Sequence, residues 1–178
     1  KDIFLSIQKK LLESNFNYYG TENFFNYILN KSQKKIVLKK IKQKDIFTLF
    51  HWVNDNEVIK NSKKNKKISF NEHQIWFKKI LFSHKNLIFI LYLNNVPIGQ
   101  VRFDLIKKNT YLITFSIDKI FRNKGYGHII VQKSLMKLSN LNNTKTFIAQ
   151  VKQKNLSSIK VFEKNCFKFD KIVDGLLQ

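Results

Sequence analysis

Ser116-Ile117-Asp118-Lys119-Ile120-Phe121-Arg122-Asn123-Lys124-Gly125-Tyr126-Gly127 is the stretch that decides how this chain folds. It joins an alternating segment, residues 111–117, that predicts a strand to residues 125–138, where Ile129, Ile130, Leu135 and Leu138 keep helical spacing. The chain has only five glycines, and two of them fall in this junction. Glycine there lets the backbone approach a ligand, and amides at a helix start are donors for an anion such as a pyrophosphate. The same pair also suits a plain turn that uses glycine for tight packing. A Walker loop would need Gly-Lys-Ser/Thr, and a dinucleotide fingerprint would need a third glycine further on; the spacing matches neither.

Upstream of the junction, residues 87–93 read as a buried strand, Asn94-Asn95 as a turn and residues 98–106 as the second strand of a hairpin. Before them, residues 36–41 alternate as a first strand. Residues 45–59 keep helical spacing through Phe47, Phe50, Val53 and Val58, and residues 60–67 form a lysine-rich loop. Ser69 and Glu72 make a capping box that opens a helix through Ile75, Trp76, Ile80 and Leu81. Downstream come a strand at 146–151, a helix at 155–165 and a last strand at 167–173. Three antiparallel strands followed by βα crossovers predict an α+β fold, with one mixed, mostly antiparallel sheet of about six or seven strands and helices on both faces. Residues 1–34 read as a separate helical segment, with short helices at 3–12 and 21–29.

Composition limits the function classes. With 178 residues, 43% of them apolar and 14% aromatic, the chain buries a real core and is not a solvating tail. Its longest apolar run, residues 87–93, falls far short of the ~20 residues a membrane helix needs. One cysteine, Cys166, excludes an internal disulfide, and four scattered histidines with one thiol assemble no metal site. A reducing, cytoplasmic setting follows. Starting at Lys1 without a signal-peptide pattern, the chain reads as a piece of a longer protein. The net charge is +21, which suggests a phosphate-rich partner. Only Arg102 and Arg122 are arginines, however, so the charge is nearly all lysine, which suits neither base readout nor bidentate phosphate clamping. A lysine-rich nucleic-acid-binding module is the reading of a different class, and a solvated lysine surface is favoured over it.

The junction resembles the strand-loop-helix of the GNAT family of acetyl-CoA-dependent N-acetyltransferases, with its Arg/Gln-x-x-Gly-x-Gly/Ala loop. The likeness extends over roughly residues 35–178. A second block, Gln150-Val151 followed by Asn155, Ser158, Phe162, Glu163, Lys164 and Phe167, is similar to the family's next strand and its Asn-x-x-Ser/Ala helix. Pro97-Ile98-Gly99 sits where the family's central hairpin commonly carries a glycine. The resemblance implies splayed central strands and acetyl-CoA as co-substrate. The backbone of Arg122, Asn123, Lys124, Gly125, Tyr126 and Gly127 would hold the diphosphate. Phe115, Ser116 and Ile117 would pair with the pantetheine arm, the Ile117 amide would face the thioester oxygen, and Asn155, Ser158 and Phe162 would complete the cofactor site. Phe162 stands where the family often has a tyrosine acid, so the leaving thiolate departs unassisted or takes its proton from another residue or water.

Two side chains are candidate catalytic bases. Asp118 directly follows the splayed strand, and His73 titrates in the useful range. For His73 the competing reading is a helix-face histidine packed on Trp76. Asp55 and Glu57 lie where the family usually places its substrate-binding loop, although such carboxylates are mostly solvated. The block from His51 to Val58, with Ile68-Ser69-Phe70, Glu72-His73 and Trp76-Phe77, resembles GNAT enzymes that acetylate nucleotide-linked amino sugars in pseudaminic-acid-type surface-glycan pathways. Tyr18-Tyr19-Gly20 and the following helix are similar to the tail of a nucleotide-sugar hydrolase that can precede such an enzyme. The implied acceptor is the 4-amino group of a nucleotide-linked deoxyamino sugar, with Trp52, Phe70 and Trp76 as an apolar wall and the 60–67 lysines meeting its diphosphate. A ribosomal-protein-type N-terminal acetyltransferase is the alternative. No metal, specific nucleic acid or membrane partner is expected.

Overall fold

The computed structural model describes residues 34–139 and 145–178; the expected helices at 3–12 and 21–29 lie outside them. Strand β1 (Ile36–Lys40) pairs antiparallel with β2 (Asn86–Leu93), and β2 pairs antiparallel with β3 (Val96–Lys107). The β2–β3 turn is Asn94-Asn95, with φ of 48° and 71°. Both turn residues thus take the left-handed conformation that a two-residue hairpin of this twist demands and that asparagine tolerates. β4 (Thr110–Ile117) pairs antiparallel with β3, and β5 (Thr146–Ala149) pairs parallel with β4. The order is β1-β2-β3-β4-β5, so the mixed, mostly antiparallel character is as expected, with five strands in place of the expected six or seven.

The strands after Ala149 leave that sheet. β6 (Val151–Lys152), β7 (Ile172–Val173) and β8 (Leu176–Leu177) form a separate three-stranded patch in the order β6-β8-β7. The single strand expected at 167–173 is therefore corrected to a hairpin whose turn, Asp174-Gly175, has positive φ at both positions (51° and 74°). The Asp-Gly signal was in the sequence, but its flanking runs are too short to read as strands. One further sequence assignment fails. The single helix expected at 45–59 is a 3₁₀ turn (Gln43–Asp45), α1 (Ile46–Val53) and α2 (Asn56–Asn61). Asp55, in an extended conformation, accepts hydrogen bonds from the Glu57 and Val58 amides and starts a new helix. Asn54 is tied to the Ile68 backbone at 2.8 and 2.9 Å.

α3 (Phe70–Leu81) begins with the expected capping box between Ser69 and Glu72. Those bonds hold the Glu72 carboxyl below its ordinary value of 4.5. Four consecutive β2 residues, Ile88 to Leu91, are buried, because helices cover both faces of the sheet. Ile88 and Ile90 pack with Ile41, Ile46, Leu49, Trp52 and Phe77 under α1 and α3. Phe89 and Leu91 alternate to the opposite face, where Phe89 meets Phe103 edge-on at 6.4 Å and α4 (Tyr126–Ser139) reaches over it through Lys137. α5 (Leu156–Lys164) completes the described residues on that side.

Candidate active site

The sheet splits where β4 and β5 part. Their last pairing is Ile113↔Ala149, beyond which β4 runs on to Ile117 while β6 joins the other sheet. From Thr114 onward β4 is paired only with β3. Antiparallel pairs alternate between bonded and non-bonded positions. The Asp118 amide bonds to the Ile98 carbonyl at 2.9 Å, which turns Ser116 toward β3 and Phe115 and Ile117 toward the opening. The amides of Phe115 and Ile117 therefore face a cleft of about 410 Å³.

The loop after β4 is fixed from three sides. Asp118 caps a 3₁₀ turn (Lys119–Phe121) by accepting from the Ile120 amide at 3.0 Å, and its second oxygen accepts from Trp52 Nε1 at 2.8 Å. Arg122 Nε donates to the Ile117 carbonyl at 3.0 Å. The remaining guanidinium nitrogens reach α2: Nη2 to Asp55 at 2.6 Å and Nη1 to Glu57 at 2.8 Å. Past Arg122 the chain turns through Asn123 (φ 58°) and Gly125 (φ 81°), a left-handed conformation that only glycine adopts at no steric cost. In α4 the Ile129 amide bonds to the Gly125 carbonyl at 3.3 Å. The amides of Tyr126, Gly127 and His128 stand in the first turn, where a helix has no acceptor of its own for them and favours an anion.

The two glycines of the motif have different causes. A Cβ at Gly125 would meet nothing within 4 Å, so that glycine answers a backbone angle beside open space. A Cβ on Gly127 would lie 3.0 Å from Val161 Cγ2 and 3.2 Å from the Phe115 ring. Gly127 is thus required by the packing of α4 against β4 and α5. The open space at Gly125, the first-turn amides and the free β4 edge together fit a diphosphate followed by an extended arm.

Of the expected cofactor residues, Lys124 and Tyr126 do not line the cleft, and the others do. Tyr126 is buried edge-on against Phe121, and burial pushes its hydroxyl above the ordinary value of 10.0. Asn155 also caps α5, accepting from the Ser158 amide at 3.2 Å. Phe162 is buried edge-on between Phe115 (5.5 Å) and Phe167 (5.0 Å). Among the described residues no tyrosine lines the cleft.

The structure does not bring the two expected bases to the cleft. His73 is 2% exposed, surrounded by Phe50, Trp76 and Phe77, and its Nε2 donates to the Ile46 carbonyl at 3.0 Å. Burial depresses its pKa below the ordinary 6.5, against a smaller opposing effect of that bond. Asp118 is occupied by its cap and by Trp52 and does not line the cleft. Trp52 itself is a core residue, 4% exposed, and so is unavailable as a substrate wall. Sequence reasoning passed over His128, which lines the cleft with a buried, unpartnered Nδ1, and treated Glu57 as a solvated carboxylate. Adjacency to Gly127 was the only sequence signal for His128. Glu57 is the one carboxylate among the described cleft-lining residues.

Residues 35–168 match the model of the acetyltransferase (GNAT) domain. The chain belongs to the GNAT family. It is an acetyl-CoA-dependent N-acetyltransferase. Solved structures share the fold. A domain from Methanocaldococcus jannaschii aligns with a TM-score of 0.72 at 24% identity, covering 82% of this chain and 96% of that one. An aminoglycoside acetyltransferase solved with coenzyme A aligns at 0.71 and 18% identity, covering 80% and 91%. Spermidine N-acetyltransferase from Vibrio cholerae, solved with coenzyme A and spermine, aligns at 0.70 and 14% identity, covering 80% and 90%. No protein of curated function matches the sequence. Within this GNAT domain the junction lines the cleft, and no described helix is long and apolar enough to cross a membrane.

Proposed function

We propose that this GNAT enzyme acetylates the amino group of an anionic small molecule, namely the 4-amino group of a nucleotide-linked deoxyamino sugar. The observation that carries the reading is the lysine loop. Lys63, Lys64, Lys66 and Lys67 are all exposed directly after α2, whose Asn61 and the adjoining Ser62 line the cleft. A cationic entrance on a chain of net charge +21 raises the local concentration of a diphosphate-bearing acceptor and lowers that of polycations. The acceptors named for the two structural relatives, aminoglycosides and spermine, are polycations.

Acetyl-CoA supplies the thioester. The acceptor nitrogen attacks its carbonyl carbon; the C–N bond forms as the C–S bond breaks, and the proton shed by nitrogen balances the charge on the thiolate. The Phe115 and Ile117 amides on the open edge of β4 are the donors placed for the carbonyl oxygen as charge grows there. Deprotonation of the acceptor runs through water, because Glu57, the one carboxylate among the described cleft-lining residues, is held by Arg122. This route replaces the expected roles of His73 and Asp118.

Acetyl transfer to UDP-linked 4-amino sugars, spermidine, an aminoglycoside and an N-terminal peptide panel tests the reading. Turnover of the sugar above the polycations is expected. Turnover of peptides with none of the sugar would overturn it in favour of a protein N-terminal acetyltransferase. Binding of duplex DNA with a steep salt slope and no response to acetyl-CoA would remove the enzyme reading itself.

A further inference from the structure

We infer that Arg122, although it opens the coenzyme loop, is a positioning residue for α2 and straps that helix along the wall of the cleft. This rests on the acetyltransferase reading of the cleft. α2 has six residues, too few to hold helical structure in water without tertiary support. None of its residues is fully buried, so packing supplies little of that support. Polar ties hold it at both ends. At the N-terminal end the Arg122 guanidinium meets Asp55 at 2.6 Å and Glu57 at 2.8 Å. At the C-terminal end Lys152 Nζ, from β6, donates to the Lys60 carbonyl at 2.7 Å. Val58, between the two ties, and Asn61, just past the second, line the cleft.

The Arg122–Asp55 pair differs from an ordinary surface ion pair. The side chains are only 20% and 17% exposed, and the guanidinium is oriented by its third bond, to Ile117, so little side-chain freedom is left to lose. Those three bonds engage all three nitrogens of Arg122 with protein, which leaves the coenzyme diphosphate to the backbone amides. The consequence is a wall of fixed position: the strap sets the width of the cleft beside Phe115 and Ile117 and keeps water away from the thioester when no acceptor is bound.

The test uses the full chain and separates capping from strapping. Asp55→Asn retains a helix-capping side chain but removes the charge, and Glu57→Gln removes the other. Amide hydrogen exchange over residues 56–61 is measured without ligand in wild type, the Asp55→Asn/Glu57→Gln double variant, Arg122→Ala and Arg122→Lys. Exchange is expected to rise at least tenfold in the double variant and in Arg122→Ala, with Arg122→Lys restoring part of the protection. Hydrolysis of acetyl-CoA without an acceptor should rise severalfold in the same order. Exchange within twofold of wild type in Arg122→Ala overturns the inference, whatever the hydrolysis rate. Absence of coenzyme A binding in every form, wild type included, would instead remove the acetyltransferase reading.

Discussion

His73 and His128 are both packed into this domain, and they teach opposite lessons. His73 lies on the buried face of α3 with its Nε2 on the Ile46 carbonyl and aromatic rings around it. His128 lines the cleft with a buried Nδ1 that has no partner. The same contrast separates the two regions. Beneath α1 and α3 polar side chains find protein partners: Asp45 takes the Lys42 amide and the Tyr92 hydroxyl, and Asp118 takes Trp52 and Ile120. Burial and the Asp45 charge push that tyrosine up to about 12. In the cleft, the Phe115 and Ile117 amides face open space and the buried Nδ1 of His128 has no partner. A buried polar group with its bonds made is a structural part, whereas one without them costs free energy that a ligand can recover.

The largest effect that sharpens this contrast is expected from Gly127→Val. Its Cβ would already press on Val161 and Phe115, so overpacking should cost about 3 kcal/mol, a fall in Tm of roughly 6–12 °C for a chain of this size, and coenzyme A binding should weaken as α4 is pushed away from β4. Gly125→Ala should separate the two roles, costing about 1–2 kcal/mol through its backbone angle while lowering coenzyme A affinity in a protein that still folds. Equal behaviour of the two variants in denaturant titration and calorimetry would break the distinction.

Next in size is Asp118→Ala. It strands the buried Trp52 N–H and removes a cap, at an expected cost of about 2 kcal/mol, and a shift in Trp52 fluorescence should accompany it. Acetyl transfer per folded molecule should stay within about threefold of wild type. A loss of 10²-fold or more with unchanged stability would return Asp118 to catalysis.

The pH dependence of His73 is smaller. Since its folded pKa is depressed, the unfolded chain binds more protons between that value and 6.5. Stability is then fullest above the ordinary value and declines as pH falls below it. Denaturation midpoints should fall less between pH 7.5 and 5.5 in His73→Gln than in wild type; parallel curves would contradict the assignment. The smallest effect is Ser69→Ala, about 1 kcal/mol from the capping box, with coenzyme A affinity unchanged because α3 does not line the cleft.

Much of this fold was legible where both partners of an interaction lie close in sequence. The Ser69–Glu72 box and the Asn94-Asn95 turn are complete within a few residues, and the strand-loop-helix from Ser116 to Gly127 carries its own signature. The Asp55 cap escaped notice because Phe50, Val53 and Val58 keep the helical period across it. The roles of Asp118 and Arg122 were hidden because their partners, Trp52, Asp55 and Glu57, are 65 or more positions away. Gly125 and Gly127 look alike in sequence and differ only in what a Cβ would touch.

The open side of β4 also has a colloidal consequence. A strand with free amides and carbonyls along one edge is a template for any other chain in extended conformation, and proteins ordinarily blunt such edges. Here the edge opens only where β5 turns away, so it is short, recessed and flanked by α2. An extended coenzyme arm occupying it would serve as the missing strand. With the arm so placed the coenzyme would act as a removable edge protector, and any self-association through this edge would fall as loading rises.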